Sequence, residues 1–330
     1  MEYRSLGRTG LKVSALGFGC GSGAGLMVRG APKDREQAVA RALELGINYF
    51  DTAPSYGDGS SEQHLGDVLR ALNASVYVGT KFSLWPEDMG DVGSAVARSL
   101  EASLRRLGRE SVDLLQLHNP IARERRGGGV EVKDVLQEVV PALLALRAQG
   151  KIRFIGMTTL GNTEAIHELI GSDVFDTAQV CYNLLNPSAG YPVPAGFPAQ
   201  DFGRLLDPCR AKRVGVLGFR VLAAGALSGV PDRHPIATRS AQPIASGPDY
   251  LTDVRRAQHF RVLVEDGHAT SLVEAALRFA ISTDAMSTVL VGYSGLEHLE
   301  AAAASVERGP LPPAALERLA AVWRELASSG

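Results

Sequence analysis

The sequence predicts an α/β fold in which eight parallel strands, each followed by a helix, close into a (β/α)8 TIM barrel. Two patterns support this fold class: short apolar runs alternate with amphipathic stretches, and the apolar runs are too continuous for strands that face solvent on one side. The length of 330 residues fits one such barrel with insertions. We therefore expect a single barrel domain over residues 1–330.

Eight apolar runs, rich in Val, Ile, Leu or aromatic residues, are predicted to form the barrel strands. They lie near residues 13–19, 47–51, 76–81, 112–118, 152–157, 176–182, 214–219 and 287–292. Because each run is followed by a helical pattern, consecutive strands are expected to be parallel and joined by right-handed crossovers.

The stretches between the strands carry apolar residues at helical spacing. Helices are predicted over 34–45, 61–72, 92–107, 131–149, 162–170, 199–212, 270–282, 295–306 and 313–327. Asp34 and Gln37, just after Pro32, are expected to form a capping box at the first of these helices. Pro141 is expected to kink or divide the stretch 131–149.

An open, doubly wound sheet is the competing architecture, because the glycine-rich segment 19–25 follows the first strand. The match to a dinucleotide-binding fingerprint is poor, since the next helix is not expected before about residue 33 and no acidic residue ends a second strand at the required distance. We interpret segment 19–25 as the loop after the first barrel strand.

Two loops are longer than usual for this architecture, at residues 183–198 and 220–252. Both follow predicted strands, so in a barrel both would overhang the C-terminal mouth. Long loops there commonly cover a substrate or a cofactor, and a disordered insert is the alternative for both.

Charge and composition narrow the classes of partner. A net charge of -2 gives no electrostatic case for nucleic acid or an anionic membrane. The N-terminus lacks the apolar core of a signal peptide, and no apolar run approaches the ~18 residues of a membrane span. The cysteines and five of the histidines lack disulfide or metal-ligand spacing, so we expect no metal and a cytoplasmic protein. These residues are Cys20, Cys181, Cys209, His64, His167, His234, His259 and His268.

Four side chains with complementary chemistry stand at or just after three predicted strands: Asp51, Tyr56, Lys81 and His118. Parallel strands would bring them to one mouth of the barrel. There the Lys81 ammonium would lower the pKa of the Tyr56 phenol, and the Asp51 carboxylate would offset the desolvation of Lys81. His118 could hydrogen-bond a carbonyl oxygen. The set can donate a proton to a carbonyl while another group delivers hydride.

The motifs around these residues resemble those of the aldo-keto reductases over nearly the whole chain. Segment 46–57, Gly-Ile-Asn-Tyr-Phe-Asp-Thr-Ala-Pro-Ser-Tyr-Gly, is similar to the family signature, and it continues to Ser61-Glu62 and Leu65-Gly66. Thr80-Lys81 and Leu117-His118 stand where the family has its lysine and histidine. Segment 6–14 resembles the family's N-terminal β-hairpin, and Leu16-Gly17-Phe18-Gly19 is also similar.

The resemblance implies an oxidoreductase that transfers hydride between a nicotinamide cofactor and a small aldehyde, ketone or sugar carbonyl. Tyr56 would be the general acid, Lys81 and Asp51 would tune it, and His118 would orient the carbonyl. The partner would be a small carbonyl or alcohol. The alternative is a nicotinamide-binding regulatory subunit of a larger complex, a role that some members of this fold family have.

The resemblance also implies a set of cofactor contacts. Thr158, Thr159 and Gln179 would hold the nicotinamide amide, and Phe219 would stack on the nicotinamide ring. Segment 220–227, with Arg220, Leu222 and Gly225, would wrap the pyrophosphate. Segment 292–298, with Gly292, Ser294 and His298, would meet the adenosine phosphate. Trp85 would wall the substrate pocket, with a packed aromatic at the barrel rim as the alternative.

Some positions depart from the family pattern, which usually has Ser-Asn at Thr158-Thr159, Tyr at Phe219 and a small polar residue at Arg220. The turn 291–298 lacks the Lys or Arg expected to pair with a 2′-phosphate, and His298 is a weak substitute. The resemblance therefore favours NADP, whereas the local chemistry favours NAD or use of both.

Overall fold

The computed structural model describes residues 1–125 and 128–328 and contains a closed barrel of eight parallel strands. The strands are β1 (Tyr3–Ser5), β2 (Lys12–Ser14), β3 (Leu16–Gly19), β4 (Tyr49–Asp51), β5 (Tyr77–Phe82), β6 (Val112–Leu117), β7 (Ile121–Ala122), β8 (Val130–Glu131), β9 (Ile152–Thr158), β10 (Thr177–Cys181), β11 (Gly215–Phe219) and β12 (Met286–Gly292). Neighbours around the barrel follow the order β10-β11-β12-β3-β4-β5-β6-β9. The predicted (β/α)8 fold class is confirmed, and the open doubly wound sheet is wrong.

Helices surround the barrel and bury their apolar faces against it. They are α1 (Leu26–Arg29), α2 (Pro32–Glu44), α3 (Ser60–Ala71), α4 (Val92–Leu107), α5 (Val132–Asp134), α6 (Val140–Ala148), α7 (Thr163–Gly171), α8 (Leu206–Ala211), α9 (Tyr250–Ala257), α10 (Val262–Glu265), α11 (Leu272–Ala280), α12 (Leu296–Glu307) and α13 (Pro313–Ser328). Shorter helical turns are Gly7–Thr9, Pro86–Gly90, Ala223–Ser228 and Gln258–Arg261. The main core lies between strands and helices. Within the described part of the chain, no helix has both the length and the apolar character to cross a membrane.

An N-terminal hairpin closes the end of the barrel opposite the mouth. Strands β1 and β2 pair antiparallel, as predicted, and the run 13–19 is divided between β2 and β3. Leu6 is fully buried in this plug with Leu114 and Leu217. Gly215 leaves room for it, because a Cβ at Gly215 would lie 2.8 Å from the Leu6 side chain. The hairpin therefore fills this end of the barrel with apolar side chains.

Some helix boundaries differ from the predicted ones. The Asp34–Gln37 capping box is wrong, because α2 already begins at Pro32, with Ala31 as its N-cap residue and no side-chain cap. Proline suits that first helical position because the lack of an N–H costs nothing there. A helical turn also forms at α1, earlier than the expected residue 33.

Pro141 divides the stretch 131–149 as predicted, and the structure shows how. The residues Val135–Val139 form a π-helical turn between α5 and α6. A proline lacks the N–H for the ordinary helical bond and its ring clashes with the carbonyl four residues earlier. The wider turn just before Pro141 accommodates both effects.

The predicted helix 199–212 is reduced to α8, because residues of the preceding loop bind its backbone. The Phe202 N–H donates to the Ser188 hydroxyl at 2.9 Å, and the Arg204 N–H donates to the Ser188 carbonyl at 2.8 Å. Those bonds hold the chain in turns until Leu206.

Both long loops follow barrel strands at the mouth, as predicted, and both are packed rather than disordered inserts. In loop 183–198, Asn183 and Asn186 are fully buried and pair in a short antiparallel bridge. In loop 220–252, the Thr238 N–H donates to the Gly23 carbonyl at 2.9 Å, which links this loop to the one after β3. The mouth is therefore bordered by segments that hydrogen-bond to each other.

Candidate active site

Three adjacent strands carry three of the predicted catalytic side chains at their carboxyl ends. Asp51 ends β4, Lys81 lies one residue before the end of β5, and His118 directly follows β6. The His118 N–H donates to the carbonyl of Phe82 at 2.9 Å, which continues the β5–β6 pairing to the rim. Parallel register thus brings the three side chains to the same mouth, as the sequence predicted.

Tyr56 reaches this mouth from the turn between β4 and α3. Its backbone N–H donates to the Ala53 carbonyl at 3.1 Å. Gly57 and Gly59 have φ of 61° and 87°, left-handed values that favour glycine and let the chain reverse into α3. The Ser61 hydroxyl donates to the Cys20 carbonyl at 2.9 Å and fixes the start of that helix against the barrel.

The four side chains form one cluster. The rings of Tyr56 and His118 meet edge to face with their centroids 6.0 Å apart. The Lys81 Nζ lies 4.9 Å from the centroid of the Tyr56 ring. Lys81 is fully buried, donates to an oxygen of Asp51, and also donates to the Thr52 carbonyl at 2.8 Å. The structure therefore brings together the carboxylate, ammonium, phenol and imidazole that the sequence singled out.

Burial and the ion pair act in opposite directions on Lys81. Burial lowers the pKa of Lys81, but the charge of Asp51, with smaller effects of Tyr56 and of the hydrogen bond to Asp51, raises that pKa above its ordinary value. A buried ammonium is tolerated only when such partners replace its water. Lys81 is thus a cation at the centre of the site at physiological pH.

The pKa of Tyr56 moves the other way from the sequence expectation. Burial raises the pKa of the phenol, and the Lys81 ammonium lowers it without cancelling the effect of burial. Lys81 therefore lessens the penalty for forming the phenolate but does not bring the pKa below its ordinary value. Burial and the charge of Lys81 lower the pKa of His118 to about 3. His118 is neutral at physiological pH, when one ring nitrogen donates and the other accepts.

Two glutamines hydrogen-bond to Asp51, and the sequence analysis predicted neither of these contacts. The Gln116 Nε2 donates to Asp51 Oδ2 at 3.1 Å, and the Gln179 Nε2 donates to the same oxygen at 2.6 Å. Both side chains are buried, on β6 and β10. The sequence signal that could have singled out Gln116 is its place within the apolar run 112–118, because a barrel strand normally carries apolar residues there.

Glu62 is a second buried acid beside the cluster, and its partners suit a structural role. It accepts from the Thr80 hydroxyl at 2.6 Å and forms an ion pair with Arg106 at 2.6 Å. The bonds join α3 to β5 and α4, and the partner on β5, Thr80, is the residue before Lys81. They hold the helix that follows the Tyr56 turn.

The residues predicted to hold a nicotinamide amide include two free polar atoms. Because a carboxylate only accepts, Gln179 must direct its NH2 group to Asp51, and no described residue donates to its Oε1. The Thr158 hydroxyl is buried and has no partner among the described residues. The Thr159 hydroxyl is engaged, since it donates to the Gln179 backbone carbonyl at 2.9 Å. An acceptor and a hydroxyl therefore remain for a carboxamide, which has both an N–H and a carbonyl.

The segment after β11 has an unusual backbone. Arg220, Ala223, Ala224 and Gly225 have φ of 57°, 46°, 59° and 104°. Three of these left-handed residues are not glycine, and each costs roughly 1–3 kcal/mol and persists only where the surrounding structure holds it. Strained backbone of this kind is concentrated at ligand-binding sites. The segment lies beside Phe219, which ends β11 and is only partly buried.

The predicted site for the adenosine end lies at the start of α12. The Ser294 hydroxyl donates to the Ala24 carbonyl at 2.7 Å, and Gly292 is exposed beside the loop after β3. His298 is exposed, and its ring meets that of His234 edge to face at 5.7 Å between centroids. No sequence pattern predicted that these two histidines would meet, because His234 belongs to the loop 220–252.

Trp85 is 60% exposed, three residues after the end of β5. That exposure argues against a packed aromatic at the rim. A role as a wall of the substrate pocket stays a prediction. A cavity of about 820 Å³ lies instead within loop 220–252, lined by residues 231–235 and 239–242 among others, and none of the four clustered side chains lines it.

Comparison with known proteins places these features in a family. A model of the Aldo/keto reductase family matches residues 15–324. The chain is 31% identical to the L-galactose dehydrogenase of Arabidopsis thaliana over 314 residues, which cover 93% of this chain and 88% of that protein. It is 28% identical to the L-glyceraldehyde 3-phosphate reductase of Escherichia coli (strain K12) over 321 residues, which cover 91% and 86%.

Among solved structures, the chain is similar to the holo form of the aldo-keto reductase AKR11C1 from Bacillus halodurans. The TM-score is 0.71 at 24% identity, and the match covers 100% of this chain and 97% of that chain. At this level of identity the likeness concerns the fold.

Proposed function

The chain belongs to the aldo/keto reductase family, and on that premise we propose that it catalyses reversible hydride transfer between a nicotinamide cofactor and a small aldehyde, ketone or sugar carbonyl. The observation that carries this proposal is the cluster of Asp51, Tyr56, Lys81 and His118 at the mouth of the barrel. A buried ammonium beside a phenol, with a neutral imidazole opposite, suits proton transfer to a carbonyl oxygen.

In the reductive direction, the Tyr56 hydroxyl donates its proton to the carbonyl oxygen. Lys81 stabilises the phenolate that forms, and Asp51 keeps the ammonium in place. The neutral His118 donates an N–H to the same carbonyl oxygen and fixes the angle of approach. A bound nicotinamide cofactor supplies the hydride to the carbonyl carbon, or accepts it in the reverse reaction. In the oxidative direction, the Tyr56 phenolate accepts the proton of the alcohol.

Three features of the chain fit a nicotinamide dinucleotide. The free Oε1 of Gln179 and the orphaned hydroxyl of Thr158 match the donor and acceptor of a carboxamide. Phe219 offers a ring at the end of β11 for stacking. The strained segment 220–225 lies next along the chain, and Arg220 there has no carboxylate partner among the described residues.

Within the turn 291–298, the only basic side chain for a 2′-phosphate is the exposed imidazole of His298. An imidazole carries at most a partial charge near neutral pH, whereas a Lys or Arg is fully charged. This chemistry supports NAD or use of both cofactors over strict dependence on NADP. The dehydrogenase from Arabidopsis thaliana and the phosphate-sugar reductase from Escherichia coli named above support a sugar or another small hydroxy-carbonyl compound as the substrate class.

The proposal is tested with Tyr56→Phe and a matched control, Tyr77→Phe. Tyr77 begins β5 at the opposite end of the barrel, so the control loses a phenol hydroxyl away from the mouth. Initial rates are measured with a panel of aldehydes and aldoses and all four nicotinamide cofactors, and cofactor affinity by quenching of intrinsic fluorescence. We expect Tyr56→Phe to lose at least about 10²-fold in kcat with unchanged cofactor affinity, and Tyr77→Phe to keep both.

Near wild-type activity of Tyr56→Phe would refute the assigned acid. Binding of the cofactor by the wild-type protein without turnover on any carbonyl would favour the alternative of a regulatory subunit. Failure to bind either cofactor would refute the oxidoreductase assignment itself.

A further inference from the structure

Gln116 is a fully buried amide in the barrel wall, two residues before His118. Barrel interiors are normally filled with branched apolar side chains, and Leu114 on the same inward face follows that rule. The Gln116 Oε1 is buried without a hydrogen-bond partner among the described residues. A buried, unpaired amide oxygen destabilises the folded state. Packing alone does not explain a glutamine at this position, because a methionine of similar size would avoid that loss.

The backbone around Gln116 makes room for its side chain to reach Asp51. Gln116 pairs with Lys81 on one neighbouring strand and with Gly156 on the other. A Cβ at Gly156 would lie 2.9 Å from the Gln116 Cγ, closer than real Cβ contacts allow. The glycine therefore lets the side chain cross the barrel, where its Nε2 lies 3.1 Å from Asp51 Oδ2.

The two oxygens of Asp51 have different partners. One oxygen, Oδ1, accepts from Lys81, while Oδ2 accepts from Gln116, from Gln179 and, at 3.5 Å, from the Tyr49 hydroxyl. After burial, the largest effects on the pKa of Tyr56 come from the charge of Lys81, which lowers it, and the charge of Asp51, which raises it; the hydrogen bond to Lys81 and the thiol of Cys20 have smaller effects. An N–H on Oδ2 partly neutralises Asp51 and so limits its effect on the phenol.

Six titratable groups lie around this hydrogen bond, on or after four of the barrel strands: Tyr49 and Asp51 on β4, Tyr56 after β4, Lys81 on β5, His118 after β6 and Cys20 after β3. Arg220, after β11, also interacts electrostatically with Tyr56. Burial first and the Asp51 charge second raise the pKa of both Tyr49 and Cys20, so neither group ionises near neutral pH.

We propose that Gln116 is a positioning residue for the proton transfer, whose amide N–H holds the Asp51 carboxylate toward Lys81 and reduces the negative charge that Tyr56 experiences. This inference rests on the proposed function, because it requires Tyr56 to exchange a proton with the substrate. Gln116 lies outside the cluster of four side chains. Its proposed role depends on the N–H that it donates to Asp51 and not on the volume of its side chain.

The first test compares Gln116→Met with Leu114→Met, a similar apolar replacement on the same inward face one layer deeper. Without the donor, Asp51 acts more strongly on Tyr56, so the pKa of the phenol rises. In the oxidative direction Tyr56 must be deprotonated, so we expect the rise of kcat with pH to move up by about one unit in Gln116→Met. In the reductive direction we expect kcat to fall about tenfold, because the phenol is a weaker acid.

Stability separates this role from a structural one. Methionine removes the unpaired Oε1, so we expect Gln116→Met to unfold at an equal or higher temperature than the wild type. We expect Leu114→Met to leave the pH profile unchanged. Cofactor affinity, measured by fluorescence quenching, should change little in either variant, since neither residue belongs to the predicted cofactor contacts.

A second variant, Gln116→Glu, keeps the shape and makes the donor depend on pH. A protonated glutamic acid donates to Asp51, whereas an ionised one repels it and raises the pKa of the pair. We therefore expect Gln116→Glu to approach wild-type reductive activity at acidic pH and to lose activity as the pH rises, in contrast to Gln116→Met.

The outcomes are distinct. An unchanged pH profile in Gln116→Met, with an active wild type, overturns the inference and leaves the proposed function intact. A Gln116→Glu variant with the same relative activity at all pH values also overturns it. If the wild-type protein shows no turnover, the proposed function is refuted, and the role of Gln116 that rests on it is refuted with it.

Discussion

Replacing Arg220 with Gln should weaken cofactor binding without harming the fold. The guanidinium carries five N–H donors, and its only hydrogen bond among the described residues is from Nη1 to the Gln242 carbonyl at 3.0 Å. It follows Phe219 directly and belongs to the strained segment 220–225. The charge of Arg233 acts on Arg220 from the same region, and Asp253 offsets part of this positive charge without forming an ion pair with Arg220. Free N–H donors and a guanidinium without an ion pair in the described part of the chain suit an anionic oxygen of the cofactor.

The expected magnitude follows from the number of bonds available. A hydrogen bond to a charged group contributes about 1.5–3 kcal/mol, and 1.4 kcal/mol is a tenfold change in affinity. One such bond therefore predicts a rise in Kd of about 10- to 150-fold for Arg220→Gln. NADH, NADPH and ADP-ribose should weaken by the same factor if the anion is the pyrophosphate that all three share. Adenosine, which lacks it, should be unaffected.

Arg239→Gln is the matched control, since Arg239 is exposed on the same loop and has no ion pair in the described part of the chain. It removes the same charge farther from β11 and should change affinity by less than about twofold, in keeping with a screened surface charge. Fluorescence titrations at two salt concentrations measure both variants. Equal losses of cofactor affinity in the two variants would refute a direct contact between Arg220 and the cofactor. They would indicate instead a long-range effect of the positive charge of the loop. A loss confined to the KM of anionic aldehydes, with cofactor Kd unchanged, would move the contact of Arg220 from the cofactor to the substrate.

Three further predictions follow from the site. With a pKa of about 3 lowered by burial, His118 should add no ionisation to the pH profile between about pH 5 and 8, and a limb near 6.5 that disappears in His118→Gln would contradict this. Glu62→Ala should lower the free energy of unfolding by about 2–4 kcal/mol in urea titrations, because Thr80 and Arg106 lose a buried partner; a change below ~1 kcal/mol would argue against it. His298→Arg should raise the affinity for NADPH relative to NADH about tenfold, as a full charge replaces a partial one, and an unchanged ratio would place the 2′-phosphate elsewhere.

The position of the cluster of Asp51, Tyr56, Lys81 and His118 was predictable because it depends on only a few features of the sequence. Once the apolar runs are parallel strands, the residues at their carboxyl ends must share a mouth, whatever the exact helix boundaries. Asp51, Lys81 and His118 follow from that rule alone. Tyr56 needs in addition the turn with Gly57 and Gly59, whose left-handed backbone the sequence indicates through glycine.

Features that depend on contacts between distant segments could not be predicted from local sequence patterns. Ser188 binds the backbone of Phe202 and Arg204 and so shortens the predicted helix 199–212. The helix α9, which begins near the end of loop 220–252, was missed, although Asp249 caps it by accepting from the Thr252 N–H at 2.8 Å, and an aspartate before a helical stretch is a local sequence signal. The direction of the shift in the Tyr56 pKa was also predicted wrongly, because the motif does not indicate how deeply the phenol is buried.

The interior of the barrel trades packing for polar contacts to Asp51. A Cβ at Gly79 would lie 2.1 Å from the Tyr49 hydroxyl, just as one at Gly156 would meet Gln116. Neither glycine has the left-handed backbone that would require glycine, so both are needed for the side chain beside them. The space left by the two glycines lets long polar side chains reach the Asp51 carboxylate, which a layer of apolar side chains would leave without hydrogen bonds. The Gln116 amide oxygen and the Thr158 hydroxyl, both buried without a partner in the part of the chain that the structure describes, are the stability cost of that arrangement. Natural sequences keep such costs where activity requires them, so filling these places with apolar side chains should raise stability while activity falls.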